Sequence, residues 1–193
     1  MKFFLNKQKG FTPLGDNVNK SSQIGFTLIE LMVVVGIIAI LSSILYANFN
    51  EARMIARDKT RMTTLKEVQL ALELYKAQNG EYPLTGCNEV TSFVGPTGKA
   101  GSDYVYCTNY IPGLVPEFIA VLPVESMHLN ESGRGYFYRS DGNSYKLINR
   151  GVEVNMVTDF GHEFARCPSA KGACLSGVPS GTYAVYSDGA QDW

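Results

Sequence analysis

Histidine occurs only twice in this chain, at His128 and His162, and tryptophan only once. Neither histidine has the spacing to a cysteine, an acid or another histidine that a zinc site or a catalytic triad requires. Ser126-Met127-His128 stands without the Gly-x-Ser-x-Gly turn that would activate a serine. P-loop, G-x-G-x-x-G and H-E-x-x-H patterns are absent as well. Charge of one sign is equally scarce: 17 Lys and Arg against 18 Asp and Glu leave a formal net charge of −1. Lys2, Lys7, Lys9 and Lys20 against Asp16 give the first 25 residues +3, so the remainder carries −4. A mildly acidic body without a long basic run excludes general nucleic-acid binding as its main task. The missing catalytic patterns leave no case for an enzyme.

Cysteine is absent before residue 87. The four that follow, Cys87, Cys107, Cys167 and Cys174, show neither CxxC nor zinc-like spacing. Their even number points to two disulfides in an oxidising compartment, with three connectivities open. Nearest-neighbour pairing, Cys87 with Cys107 and Cys167 with Cys174, is expected because each pair brackets a loop-like stretch.

Long hydrophobic runs are limited to one, residues 26–49, and it is long enough to span a bilayer as a helix. Glu30 is its only charge, and an ionised carboxylate in hydrocarbon is costly enough to need a partner. A cut after Gly25 would supply one, because Phe26 would then present a new amine with Glu30 as the fifth residue of the product. A secretory signal peptide puts a short apolar region before its cleavage site. Here the order is inverted: a polar leader, Gly25, then the apolar run.

Gly25-Phe26-Thr27-Leu28-Ile29-Glu30-Leu31-Met32 resembles the prepilin cleavage and methylation motif of type IV pilins and type II secretion pseudopilins. The resemblance implies a prepilin peptidase that removes residues 1–25 and N-methylation of Phe26. It also gives Glu30 a role in attracting the amine of a neighbouring subunit during assembly. Implied partners are further copies or other pilins, the inner-membrane platform with its assembly ATPase, and membrane lipid before assembly. Gly10-Phe11-Thr12-Pro13-Leu14 partly copies the site, but Gly15 and a polar sequence follow it, so it reads as a decoy. Arg53, Arg57, Lys59 and Arg61 nearly balance the leader's lysines across the span. Orientation therefore rests on the cysteines and the resemblance, which place the head outside the cytoplasm.

Neither proline nor glycine interrupts residues 37–79, and the composition favours helix. Asn79-Gly80, with Pro83 beyond, predicts the stop. A helix from 26 to 79 would be about 80 Å long at 1.5 Å per residue, with Gly36 and Ser42-Ser43 as its weaker points. Residues 50–80 form its amphipathic half. Met54, Leu65, Val68, Leu72 and Tyr75 share one stripe, and Ala52, Ala56, Leu70, Leu74 and Ala77 a second. Two stripes predict two partners, the protein's own sheet and neighbouring helices. Arg53, Arg57 and Arg61 repeat at every fourth position and are expected at the headgroups, their stems snorkelling, with pairing to a neighbouring subunit as the alternative. Residues 52–61, 71–75 and the Asn79-Gly80-Glu81-Tyr82-Pro83 turn also resemble pseudopilin-type subunits.

Residues 81–193 predict a globular head. A loop at 84–112 should be stapled or functional. A short helix is expected over 112–123 with Pro116 in its first turn. Strands are expected at 136–139, 145–148 and 182–187, the first two as a hairpin around Asp141-Gly142-Asn143. The fold class is α+β: a long N-terminal helix, transmembrane in its first half, on a small antiparallel sheet. Asp188 and Asp192 are the one candidate pair for calcium, and no other cofactor is expected. The function read is a structural subunit of a pilus or pseudopilus filament. The alternative is a minor pilin whose stapled loops bind a surface or DNA at the filament tip.

Overall fold

The computed structural model describes residues 25–193 apart from 90, 100–102, 178 and 180, and the side chains of residues 44, 45, 47, 48 and 173 are not described. The leader through residue 24, with its decoy site, lies outside the described residues. Two units divide the chain at residue 45, the first of 1–45 and the second of 46–193.

One helix, α1 (Leu28–Asn79), supplies the described part of the first unit and enters the second. It runs without interruption through Gly36 and Ser42-Ser43. Thr27 starts it: its hydroxyl accepts from the Glu30 amide (3.3 Å), and the Glu30 carboxylate accepts from the Thr27 amide (2.9 Å) and hydroxyl (2.7 Å). This reciprocal capping box satisfies donors that the first turn otherwise leaves orphaned. Gly80 ends the helix at φ +85°, its amide reaching the Lys76 carbonyl at 2.8 Å, a left-handed cap that favours glycine.

Among the described residues no helix is long and apolar enough to cross a membrane.

In the second unit a five-stranded sheet has the order β2-β1-β3-β4-β5. Its strands are β1 (Phe93–Gly95), β2 (Tyr104–Tyr106), β3 (Tyr136–Ser140), β4 (Tyr145–Asn149) and β5 (Tyr183–Tyr186). Neighbours are antiparallel except β1 and β2, which are parallel. The three strands read from the sequence form β3, β4 and β5. Asp141 sets the hairpin turn, its carboxylate accepting from the amides of Asn143 (3.0 Å) and Ser144 (2.8 Å). The other two strands lie inside the stretch read as loop. Each has three residues, too few for a period-two pattern to stand out.

Disulfides join Cys87 to Cys107 and Cys167 to Cys174. The first closes 20 residues around β1 and β2, a constraint of about 3 kcal/mol on the unfolded chain. Gly86 is required beside it, because a Cβ there would fall 2.2 Å from the Asn109 carbonyl oxygen.

The expected helix over 112–123 does not form. That segment is a succession of turns in which the Phe118 and Ile119 amides share the Leu114 carbonyl. Pro116 and Pro123 lack amide protons, and Gly113 takes φ +81°, so one turn closes and no second follows.

The core sits between one face of α1 and one face of the sheet. Leu65, Val68 and Leu72 are fully buried there with Tyr138, Tyr145, Leu147 and Tyr183. Several tyrosines of this core use their hydroxyls to fasten loops. Tyr138 donates to the Pro83 carbonyl (2.8 Å), Tyr110 to that of Pro123 (2.7 Å) and Tyr183 to that of Val154 (2.9 Å).

Candidate functional site

Three features of α1 bear on function: its N-terminal apolar half, a bare stripe farther along, and a charged latch to the head. In the first unit nearly every apolar side chain is open. Phe26 is 88% exposed, and Leu28, Ile29, Leu31, Met32, Ile37, Ile38, Ile40 and Leu41 are all more than half exposed. A contiguous apolar surface of this kind marks an interaction site with lipid or protein. Within it Glu30 is fully exposed and held by Thr27 alone. Sequence reading found Glu30 but not its cap, although Thr-x-x-Glu before an apolar run is the signal for one.

The two stripes of the second helix half separate cleanly. Leu65, Val68 and Leu72 lie in the head's core, with Met54 and Tyr75 half-buried beside them. Leu70 is 63% and Leu74 49% exposed, and Ala52, Ala56 and Ala77 are open as well. The own-sheet stripe is therefore covered and the second is bare.

The arginines are a correction. Arg57 and Arg61 do not spread towards headgroups; they pair with carboxylates of the same head. Arg61, 3% exposed, forks onto Glu125 through Nε (2.6 Å) and Nη2 (3.1 Å). Its Nη1 donates to Asp58 (2.6 Å) and Glu153 (2.9 Å). Asp58, wholly buried, also accepts from the amides of Glu153 and, at 2.6 Å, Val154. Arg57 forks onto Glu153. Arg53 stays exposed. The cluster joins α1 to two loops that the sheet does not reach. The sequence hid it because Glu125 and Glu153 lie 64 and 92 residues from Arg61.

Hydrogen bonds from Arg57, and less so from Arg61, hold the Glu153 carboxyl down at about 2 from the ordinary 4.5, against the opposing effect of burial. Burial pushes Glu125 up, but Arg61 outweighs it and holds that carboxyl low too. Carboxyls lowered by folding stabilise the native state fully above the unfolded value near 4.5, and that contribution is lost as pH falls towards about 2. Denaturant midpoints should therefore hold steady from neutral pH to about 5 and fall steeply below about 4. In Arg57→Ala the midpoint should be lower at neutral pH and its fall below about pH 4 shallower, because a carboxyl that folding lowers less has less to lose. An acid profile identical to that of the parent chain would contradict the latch.

Asp188 and Asp192, the calcium candidates, lie in the C-terminal turn beside β5. Among the described residues no three His, Cys, Asp or Glu side chains gather to hold a metal ion. The Asp188 carbonyl accepts from the Ser144 hydroxyl at 2.8 Å. The Gln191 carbonyl and the main-chain oxygen of Trp193 both accept from the Lys146 ammonium at 2.9 Å. That arrangement holds a buried ammonium. His128 Nδ1 lies 3.0 Å from Glu131, and His162 accepts from the Phe164 amide at 3.2 Å.

Comparison with known proteins agrees with the N-terminal motif. Residues 20–46 match the family described as "Prokaryotic N-terminal methylation motif". The chain is 36% identical over 139 residues to the type II secretion system core protein G of Escherichia coli (strain K12), covering 71% of this chain and 87% of that one. With the protein of the same name from Aeromonas hydrophila it shares 35% identity over 68 residues, which is 35% of this chain and 48% of the relative, so there it spans about half the relative's length. It is also 41% identical over 58 residues to the type IV wide pilus major component PilA4 of Thermus thermophilus, 30% of this chain and 44% of that one. No solved structure matches.

Proposed function

This chain belongs to the type II secretion system core protein G family, and from that premise we propose that it is a non-enzymatic filament subunit that polymerises through α1. The observation that carries the reading is the bare apolar half of α1 together with the bare stripe at Leu70 and Leu74. A single copy covers neither surface. Lipid can cover the first before assembly, as the apolar run from 26 to 49 supports. Neighbouring copies of α1 can cover both afterwards, burying the area that drives association.

In this account a prepilin peptidase cuts after Gly25 and the new amine of Phe26 is methylated. The subunit waits in the cytoplasmic membrane with its head outside, and the inner-membrane platform and assembly ATPase lift it into the filament. Removing the leader creates the cation, and Glu30 of the adjoining subunit supplies the anion. Each charge lowers the cost of burying the other away from water. The work is packing and pairing, and no cofactor enters it.

Mass spectrometry of the mature chain tests the processing. Its first residue should be an N-methylated Phe26, and in a peptidase-deficient host residues 1–25 should be retained. A mature chain that still begins with the leader in a processing-competent host would overturn the reading.

A further inference from the structure

The sheet's second face carries a different chemistry. Residues alternate along each strand, so Phe137, Arg139, Lys146, Ile148, Ala184 and Tyr186 point away from the α1-facing core. Arg139 stands directly opposite Lys146, and Lys146 opposite Tyr186. Like charges paired across strands destabilise a sheet, and these two are joined by more. The Arg166 guanidinium donates to the Tyr104 hydroxyl at 3.2 Å. The Arg150 guanidinium lies over the same ring at 4.1 Å, and that of Arg139 over Trp193 at 4.5 Å.

Residues 81–193 hold twelve carboxylates against seven lysines and arginines. Yet three of their four arginines gather on this one face with Lys146. Among the described residues no side-chain carboxylate forms a salt bridge with any of the four, Lys146 bonding main-chain oxygens of Gln191 and Trp193 instead, although Arg134, the remaining arginine, pairs with Glu131. Asp141 and Asp192 act on Arg139 and Lys146 only through their fields. The Nε atoms of Arg139 and Arg166 are buried and have no hydrogen-bond acceptor among the described residues. Burial, with repulsion from Arg166 and Arg139, pushes the Lys146 ammonium down to about 7, so the cations lie within each other's fields.

Neighbouring, partly desolvated guanidiniums without a side-chain carboxylate are costly unless something neutralises them. Two of them lie over aromatic rings, a contact that leaves a guanidinium's in-plane N–H donors able to meet an oxyanion. We propose that this face is a binding site for a phosphate-type oxyanion, held by Arg139, Arg150 and Arg166. A tetrahedral dianion can take forks from several arginines, whereas a carboxylate offers two oxygens. The head's acidic surround disfavours a long polyanion and favours a compact group. Its source is either free phosphate or a phosphate ester such as a lipid headgroup.

The test is calorimetric titration of the full chain in non-ionic detergent micelles with inorganic phosphate, with glycerol 3-phosphate and with a short oligothymidylate. Saturable binding of phosphate or glycerol phosphate is expected, weakened roughly tenfold or more in the R139Q/R166Q double variant. It should be unchanged in R134Q, which removes the same charge elsewhere. Stronger binding of the ester would assign the site to headgroups, and stronger binding of the ion to free phosphate. Should the double variant not fold, R166K alone, which keeps the charge and loses the fork, should still bind measurably more weakly. Absence of saturable binding, equal binding by parent and variants, or binding of the oligonucleotide alone would overturn the proposal.

Discussion

Replacing Glu30 with glutamine should abolish filaments while leaving the subunit inserted, cleaved and capped. Glutamine at the third helical position can still return a hydrogen bond to Thr27, so the capping box survives. What it removes is the negative charge set against the amine of Phe26. Loss of one member leaves the other cation with no counter-charge in a water-poor filament core. The defect repeats at every junction, so sheared filaments should fall by about a hundredfold or more. Glu30→Val should do the same, losing both cap and charge. Thr27→Ala separates the two effects: it removes the cap, keeps the charge, and should still assemble. Quantitative immunoblotting of sheared and membrane fractions reads all three. Abundant normal filaments from Glu30→Gln would sink the charge-pairing mechanism.

The second large effect belongs to Arg61. Changing it to alanine should destabilise the fold by about 3–5 kcal/mol, because Asp58, Glu125 and Glu153 would be left as buried or half-buried carboxylates without their shared cation. Against a typical total of about 5–15 kcal/mol, that brings the head close to unfolding at physiological temperature. Arg57, more exposed and bonded to Glu153 alone, should matter far less. Urea titration followed by near-ultraviolet circular dichroism would compare the two, since the core is rich in tyrosine. Equal and small losses in both variants would show that the latch adds little.

The parts legible in the sequence were those with local signatures. Gly25, Phe26 and Glu30 announce themselves because a charge in an apolar run and an inverted leader are both unusual. Stripe periodicity separated Leu65, Val68 and Leu72 from Leu70 and Leu74, and the bare second stripe is what a filament subunit needs. The hairpin of β3 and β4 was visible through alternation and the Asp141-Gly142-Asn143 turn.

What stayed hidden depends on contacts between distant residues. β1 and β2 are too short for periodicity, and their pairing follows from the parallel approach of Phe93–Gly95 to Tyr104–Tyr106. Arg57 and Arg61 look like a solvated basic edge until Glu125 and Glu153 are brought beside them. Lys146 reads as one polar residue of an alternating strand, and only the C-terminal turn explains why it is fully buried. Even the Glu30 cap, which is local, was masked by a more conspicuous role for the same carboxylate.

In the proposed filament, neighbouring copies cover the bare half of α1 and pair Glu30 with a processed Phe26. Electron cryomicroscopy of filaments sheared from cells expressing the full chain tests this central claim most directly. The reconstruction should place the apolar halves of α1 at the filament core, with each Glu30 carboxylate within about 4 Å of a neighbour's methylated Phe26 nitrogen. Filaments built through the heads, with residues 26–43 outside the core or Glu30 facing solvent, would contradict it.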